Sequence, residues 1–164
     1  MADPTIDRFR SVYEREHATT RKVLHAYPAD KASFKPHERS NVALMLGKTF
    51  VIEEKLMLRA LRNEQVIGTG GFPAVADDWS GMLEEFDARN AEVMEALKSA
   101  SADSLQVVKF FSGPKQMADF PAVDFLWYLL HDQIHHRGQL SVYLRMVGGK
   151  VPAIYGPSAD EPWF

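Results

Sequence analysis

The chain has 164 residues, of which 46% are hydrophobic and 25% are charged, a balance that excludes an intrinsically disordered chain. The formal net charge is -3, and no segment is strongly basic, so nucleic acid is not an expected partner. The absence of cysteine excludes disulfides, thiolate metal ligands and a cysteine nucleophile.

The N-terminal segment Met1–Pro4 lacks the basic and apolar stretches of a signal peptide. No apolar run approaches the roughly 20 residues that a membrane-spanning helix needs. We therefore expect a cytoplasmic protein without a membrane partner. The length favours a single domain over residues 1–164, with a C-terminal tail from about residue 150.

Apolar residues recur three or four positions apart in four long segments, which predicts four helices. The first is expected from about Thr5 to Tyr27, because Pro28 cannot continue a helix. The second is expected to begin at Ser40 or Asn41, either of which is a suitable N-cap, and to end before the glycine-rich segment 68–71.

The third helix is expected from Asp77 or Asp78 to about Ser99. The connection that follows is long, and its segment 105–111 is rich in β-branched and aromatic residues, which favours an extended conformation across the end of the bundle. The fourth helix is predicted from near Pro121 to about Val147.

The tail beyond this helix contains three prolines and ends in Pro162-Trp163-Phe164. Aromatic side chains in a tail are expected to dock on their own domain or on a partner subunit. The four amphipathic helices predict an all-α protein, a four-helix bundle.

The most informative segment is 131–136 on the fourth helix, which holds three of the six histidines. Residues four apart share a helix face, so His131 pairs with His135 and Asp132 pairs with His136. Imidazole and carboxylate at this spacing can ligate one divalent ion such as zinc or nickel. The alternative is a surface histidine cluster, or core histidines whose hydrogen bonds are satisfied by their neighbours.

Asp132 and His136 lie on a stripe that is expected to face inward, because its other members are mostly large and apolar or aromatic: Phe125, Leu129, Gln139 and Tyr143. A charged side chain on such a stripe must be paired, hydrogen-bonded or bound to a metal. Gly138 in mid-helix predicts the close approach of a neighbouring helix. Arg137 is expected either to pair with Glu53 or Glu54 or to lie exposed at the surface.

The segment from His135 to Arg145, HHRGQLSVYLR, and the segment from Lys150 to Ser158, KVPAIYGPS, resemble the C-terminal motif of the DinB-like family. The resemblance implies a four-helix bundle in up-down-down-up order, often a homodimer. It also implies a central divalent metal held by three histidines. One of these stands on the second helix, and two stand four apart on the fourth, the later one directly before Arg-Gly-Gln.

In this chain His136 matches the last of these histidines, whereas Asp132 stands where the earlier one is expected. On the second helix, our alignment places Lys48 at the remaining ligand position. His17 or His25 of the first helix could supply a further donor.

Three hypotheses follow. The first, which the resemblance implies, is a metal-dependent enzyme of thiol-transferase or hydrolase type with an altered site, in which Asp132 and His136 are ligands and Gln139 and Tyr143 contact the ligands or the substrate. A small thiol would come from solution, since the chain has none, and Lys48, His131 and His135 would line the site.

The second hypothesis is a metal-free protein in which Lys48, Asp132 and His136 form a salt-bridged polar core beside a cavity for a small molecule or none. The third is a dimeric interaction protein that uses its surface or its aromatic tail.

Overall fold

The helix boundaries follow from local capping interactions. In the computed structural model, which describes residues 3–68 and 70–164, Asp3 precedes the first helix and accepts hydrogen bonds from the amides of Thr5 (2.8 Å) and Ile6 (3.4 Å). Asp78 caps the third helix in the same way, through the Gly81 amide at 2.9 Å. The four helices are α1 Pro4–Ala26, α2 Ala43–Leu61, α3 Trp79–Ser99 and α4 Ala122–Met146.

The second helix starts later than predicted, because neither Ser40 nor Asn41 caps it. Val42 is the N-cap and has no capping side chain. The amide of Ala43 instead donates to the Phe34 carbonyl, and that of Leu44 to the Ala32 carbonyl, both at 2.9 Å. The preceding loop thus satisfies the free amides at the helix start. Of the predicted loop 68–71, Thr69 lies outside the described residues, as do Met1 and Ala2.

The connection between α3 and α4 contains an antiparallel hairpin of β1 Val108–Gly113 and β2 Gln116–Phe120. The extended conformation predicted for the first of these strands is confirmed, while its partner was not predicted. The register pairs Val108 with Phe120 and is irregular between Phe111 and Gly113. The fold is therefore mostly helical, with one two-stranded sheet among the described residues.

The main helix contacts are those of α1 and α2, both of which pack against α3 and α4. Ion pairs between α2 and its neighbour α3 advance together along both helices, from Lys55–Glu85 to Arg62–Glu92, so these two helices run in the same direction. The contacts that link α1 to α4 advance together as well, from the ring contact of Phe9 with Trp127 to the hydrogen bond of Glu16 with Arg137, which makes α1 and α4 parallel. The helix α1 runs opposite to α3, because Tyr13 is near Asn90 whereas the later residue Arg21 binds the earlier residue Asp87. These directions are consistent with up-down-down-up order.

The core has two apolar clusters separated by a polar layer. One cluster lies at the hairpin end of the bundle, around Phe9, Met57 and Phe125, and the other lies around Phe50, Trp79 and Leu140. Among the described residues, seven polar ones are buried in the bundle's interior: Glu16, His17, Thr20, Glu53, Glu54, Gln133 and Arg137. Because a buried polar group without a partner is costly, this layer is where a site is expected.

No helix within residues 3–68 and 70–164 has the length and apolar character needed to cross a membrane.

Candidate metal centre

Three acidic and imidazole side chains meet where α2 packs against α4. Asp132 and His136 lie one turn apart on α4, with His136 Nε2 3.5 Å from Asp132 Oδ1. Glu53 faces them from α2, and one ligand atom from each of the three lies within 4.8 Å of the others. We call Glu53, Asp132 and His136 the donor cluster. The structure therefore brings together the predicted pair and adds a second carboxylate.

Glu53 is the unusual member, because its side chain is only 3% exposed and its Oε2 atom has no hydrogen-bond partner. Burial raises the pKa of Glu53 well above its ordinary value, and the neighbouring Asp132 carboxylate adds to this increase. A buried carboxyl oxygen without a partner is unfavourable in isolation and is a suitable ligand for a cation.

The other two members stabilise each other's charged forms. A hydrogen bond with His136 lowers the pKa of Asp132, and the same contact raises the pKa of His136. Gln139 lies beside the ring, with its Oε1 3.2 Å from His136 Nδ1. If Nδ1 carries the proton that this hydrogen bond needs, the lone pair of Nε2 points toward the two carboxylates.

A cleft of about 400 Å³ opens beside the donor cluster. Glu53 and Asp132 form part of its lining. Its remaining walls are mostly apolar and come from α2, the loop before α3, the hairpin and α4: Thr49, Ile52, Leu56, Phe72, Phe110, Phe111, Tyr128 and Leu129. This volume lies within the usual range for small-molecule sites.

The structure does not place Lys48 in the donor cluster, which corrects the prediction that it lines the site. Its ammonium group bonds the Asp77 carboxylate at the start of α3. Lys55, two helical turns further along the same face, bonds Glu85 of α3. Lys48 and Glu53 are five residues apart and therefore point about 140° away from each other around α2. The residue that α2 contributes is Glu53.

Several other predicted residues lie away from the donor cluster. Tyr143 donates a hydrogen bond to the Asn41 carbonyl (3.1 Å) and packs against Phe34, in the second apolar cluster. His131 is exposed and lies against the Trp127 ring. His135 is exposed too, and its Nε2 lies 2.9 Å from Gln139 Nε2. Its ring contacts the ring of His136, and the Gln139 side chain lies between the two imidazoles as a shared hydrogen-bond partner.

Both histidines of α1 contact residues outside the donor cluster. His17 is buried against Phe86, with its Nε2 3.3 Å from Glu54 Oε1, and burial lowers its pKa to about 4. His25 pairs with Asp87 at 3.1 Å.

Arg137 binds neither of its predicted partners, Glu53 and Glu54. It is 1% exposed, and its guanidinium group bonds the Glu16 carboxylate at 2.9 Å and the Tyr155 hydroxyl of the tail. The tail is thus attached to the bundle at Tyr155, whereas Trp163 and Phe164 are exposed.

The prediction for Gly138 is also wrong. No atom of another segment lies within 4 Å of the position that a Cβ would take there. The close approach between helices occurs at Gly47 instead, where a Cβ would lie 2.7 Å from the Met82 side chain.

Most residues that line the cleft were missed, and two of them had a signal in the sequence. Glu53 follows Phe50 by three positions on the buried face of α2, so a carboxylate on an apolar stripe was the available signal. Tyr128 stands four residues before Asp132, on the same face of α4, and lines the cleft. Phe72 and Phe110 approach the site only through tertiary packing, which no local pattern indicates.

The C-terminal half of the chain, residues 83–163, matches the family model described as the DinB family. An uncharacterised protein of Bacillus subtilis strain 168, YrdA, is 44% identical over 75 residues, which is 45% of this chain and 42% of that protein. The match thus spans less than half of the relative's length.

Two solved structures have the same fold. A DinB-like protein of Bacillus subtilis, YjoA, aligns with a TM-score of 0.71 at 16% identity, over 90% of this chain and 97% of the other. A DinB-like protein of Bacillus cereus aligns with a TM-score of 0.64 at 22% identity, over 90% and 95% of the two chains. The C-terminal segment 83–163 thus resembles the DinB family in sequence, and the chain as a whole has the fold of these DinB-like proteins.

Proposed function

We propose that this protein is a metal-dependent enzyme acting on a small molecule, with one divalent transition metal held by Glu53, Asp132 and His136. The observation that carries the proposal is the buried Glu53 carboxyl, which has an oxygen without a partner and faces a carboxylate and an imidazole. The reaction we propose is of thiol-transferase or hydrolase type.

The donor set fits such an ion. Imidazole nitrogen and carboxylate oxygen are both ligands of zinc, and nickel accepts the same types, while the second carboxylate also suits manganese. A divalent cation would offset the two carboxylates, of which Glu53 is almost fully buried. When bound with an open position, such an ion lowers the pKa of a coordinated water or thiol.

The chain's own residues would orient and shield the reaction. Gln139 holds the His136 ring through Nδ1, which directs Nε2 toward the carboxylates. The apolar walls of the cleft would limit water near the donor cluster, and the chain itself has no thiol. A thiol-transferase would therefore take its thiol from a small molecule.

The cleft also supports a second candidate, a metal-free protein that binds a small ligand. The sequence predicted a polar core in which Lys48 is paired with Asp132 and His136. Lys48 pairs with Asp77 instead, so it does not supply a cation to that core. What remains is the cleft itself. Homodimer formation and a cytoplasmic location remain proposals, and the exposed Trp163 and Phe164 support the first of them.

Calorimetric titration of chelator-treated protein with zinc tests the metal site. We expect one ion per chain, and we expect Glu53→Gln, Asp132→Asn and His136→Gln each to weaken binding at least about tenfold. Lys48→Met and His131→Gln are the matched controls, because both residues lie outside the donor cluster, and they should bind zinc as the unaltered chain does. Equal losses in the controls, or unaltered binding in all three cluster variants, would reject the site.

A second assay tests the proposed enzymatic activity. Metal-loaded protein should consume a small thiol in the presence of an electrophilic aromatic substrate, or hydrolyse an activated ester, and the same preparation of His136→Gln should not. Stoichiometric zinc without activity in either assay would leave a metal-binding protein and refute the proposed reaction types.

A further inference from the structure

Four aromatic side chains surround the mouth of the cleft beside the donor cluster. They come from three separate segments: Phe72 from the loop before α3, Phe110 and Phe111 from β1, and Tyr128 from α4. Their ring centroids lie close together, with Phe72 6.1 Å from Phe111 and Phe110 6.1 Å from Tyr128. We call these four residues the aromatic rim.

Three members of the aromatic rim are exposed to solvent. Phe72 is 52% exposed, Tyr128 45% and Phe111 40%. Phe110 is buried and its ring contacts the other three rings. Large apolar side chains clustered at the surface and facing a concave space are typical of a binding site. The hairpin holds Phe111 beside Phe72, because Val108 and Phe110 of the same strand are anchored in the first apolar cluster.

The other side of the cleft is acidic. Glu53 and Asp132 line it, and the buried Oε2 of Glu53 lacks a partner. In the metal-free chain, an anionic group placed there would be repelled by the Asp132 carboxylate, while an apolar group would leave the Glu53 oxygen without a partner. An uncharged hydrogen-bond donor, such as a hydroxyl or a thiol, suits this part of the cleft.

We propose that the cleft binds a small, uncharged aromatic molecule, whose ring packs among Phe72, Phe111 and Tyr128 and whose hydroxyl or thiol points toward Glu53 and Asp132. A volume of about 400 Å³ holds one such molecule and excludes a folded peptide segment. Aromatic rings prefer edge-to-face or offset contacts with other rings, which the tilted arrangement of the rim offers to a planar ligand. This inference rests on the proposed function insofar as the molecule would be the substrate.

The test uses the full chain stripped of metal, so that its failure is separate from failure of the metal site. N-phenyl-1-naphthylamine, an uncharged probe whose fluorescence rises in apolar surroundings, should bind once per chain. Phe72→Ser and Phe111→Ser should each weaken binding by about threefold or more, a loss that corresponds to removing one aromatic contact. Met146→Ser is the matched control, because it removes an exposed apolar side chain at the end of α4, and it should have no effect.

Competition between two alcohols of the same skeleton tests the aromatic preference. We expect 2-naphthol to displace the probe at a concentration about threefold or more below that needed with decahydro-2-naphthol. Equal displacement by the two alcohols would overturn the aromatic assignment, and probe binding that both serine variants leave unchanged would overturn the location. Binding that appears only after removal of residues 162–164 would assign the cleft to the aromatic tail of a second copy instead. The metal titration can succeed or fail independently of each of these results.

Discussion

Replacing Arg137 by methionine is expected to lower the free energy of unfolding by about 3 to 5 kcal/mol. The guanidinium group is almost fully buried and bonds the Glu16 carboxylate at 2.9 Å, the Glu16 carbonyl at 3.2 Å and the Thr20 hydroxyl at 3.3 Å. Methionine preserves much of the apolar volume but leaves Glu16, which is 4% exposed, with only the Tyr155 hydroxyl at 2.6 Å and the Arg15 guanidinium at 3.7 Å, so most of the compensation of its charge is lost. The cost is therefore dominated by the uncompensated charge.

A second substitution separates that charge from the lost packing. In Arg137→Met with Glu16→Gln, no carboxylate remains to be buried, so part of the stability should return. We expect the two substitutions to be coupled by about 1 to 3 kcal/mol, in the direction of a double variant more stable than the sum of the single changes predicts.

Urea unfolding followed by circular dichroism measures these energies. The matched control is Arg145→Met, because Arg145 also pairs with an aspartate, Asp160, but its side chain is 49% exposed. It should cost less than about 1 kcal/mol. A loss for Arg137→Met as small as for the control, or the absence of coupling to Glu16, would refute the view that a buried ion pair joins α1 to α4.

Three further changes are predicted. Burial lowers the pKa of His17 from 6.5 to about 4, so the folded state favours the neutral ring. The stability that the neutral His17 ring contributes is fully present above pH 6.5 and falls by roughly 3 kcal/mol as the pH decreases toward 4. The difference in the free energy of unfolding between the unaltered chain and His17→Gln should show this pH dependence. A difference that stays constant with pH would contradict the prediction. Gly47→Ala should cost up to about 1 kcal/mol, because its Cβ would meet the end of the buried Met82 side chain and the Trp79 ring, which outweighs the better helix propensity of alanine. Gly138→Ala should stabilise by up to about 1 kcal/mol, because the space there is open; melting temperatures that shift in the same direction for both glycines would disprove this contrast.

The elements that depend on local patterns were predictable from the sequence. The helices α1, α3 and α4 begin or end at residues whose capping role is local, such as Asp78 and Pro121. The start of α2 was not predictable in this way, because its free amides are satisfied by carbonyls of Ala32 and Phe34 in a folded loop. The strand Gln116–Phe120 has no clean alternation of apolar residues, so only its pairing with β1 identifies it.

The candidate site was predictable on α4 and not on α2. Asp132 and His136 are four residues apart on one helix, so their proximity follows from helix geometry. The choice between Lys48 and Glu53 depends on which face of α2 meets α4, and that is decided by packing over the whole bundle. The partner of Arg137 could not be predicted either, because Glu16 is 121 residues away in the chain and meets Arg137 only when α1 packs against α4.

Anomalous diffraction from crystals grown with zinc tests the central claim most directly. Data collected above and below the zinc absorption edge should give one peak per chain, in contact with His136 Nε2 and with carboxylate oxygens of Glu53 and Asp132. That peak should be absent from crystals of Glu53→Gln grown in the same way. A map without a peak at the donor cluster, or with zinc only at the exposed pair His131 and His135, would contradict the account.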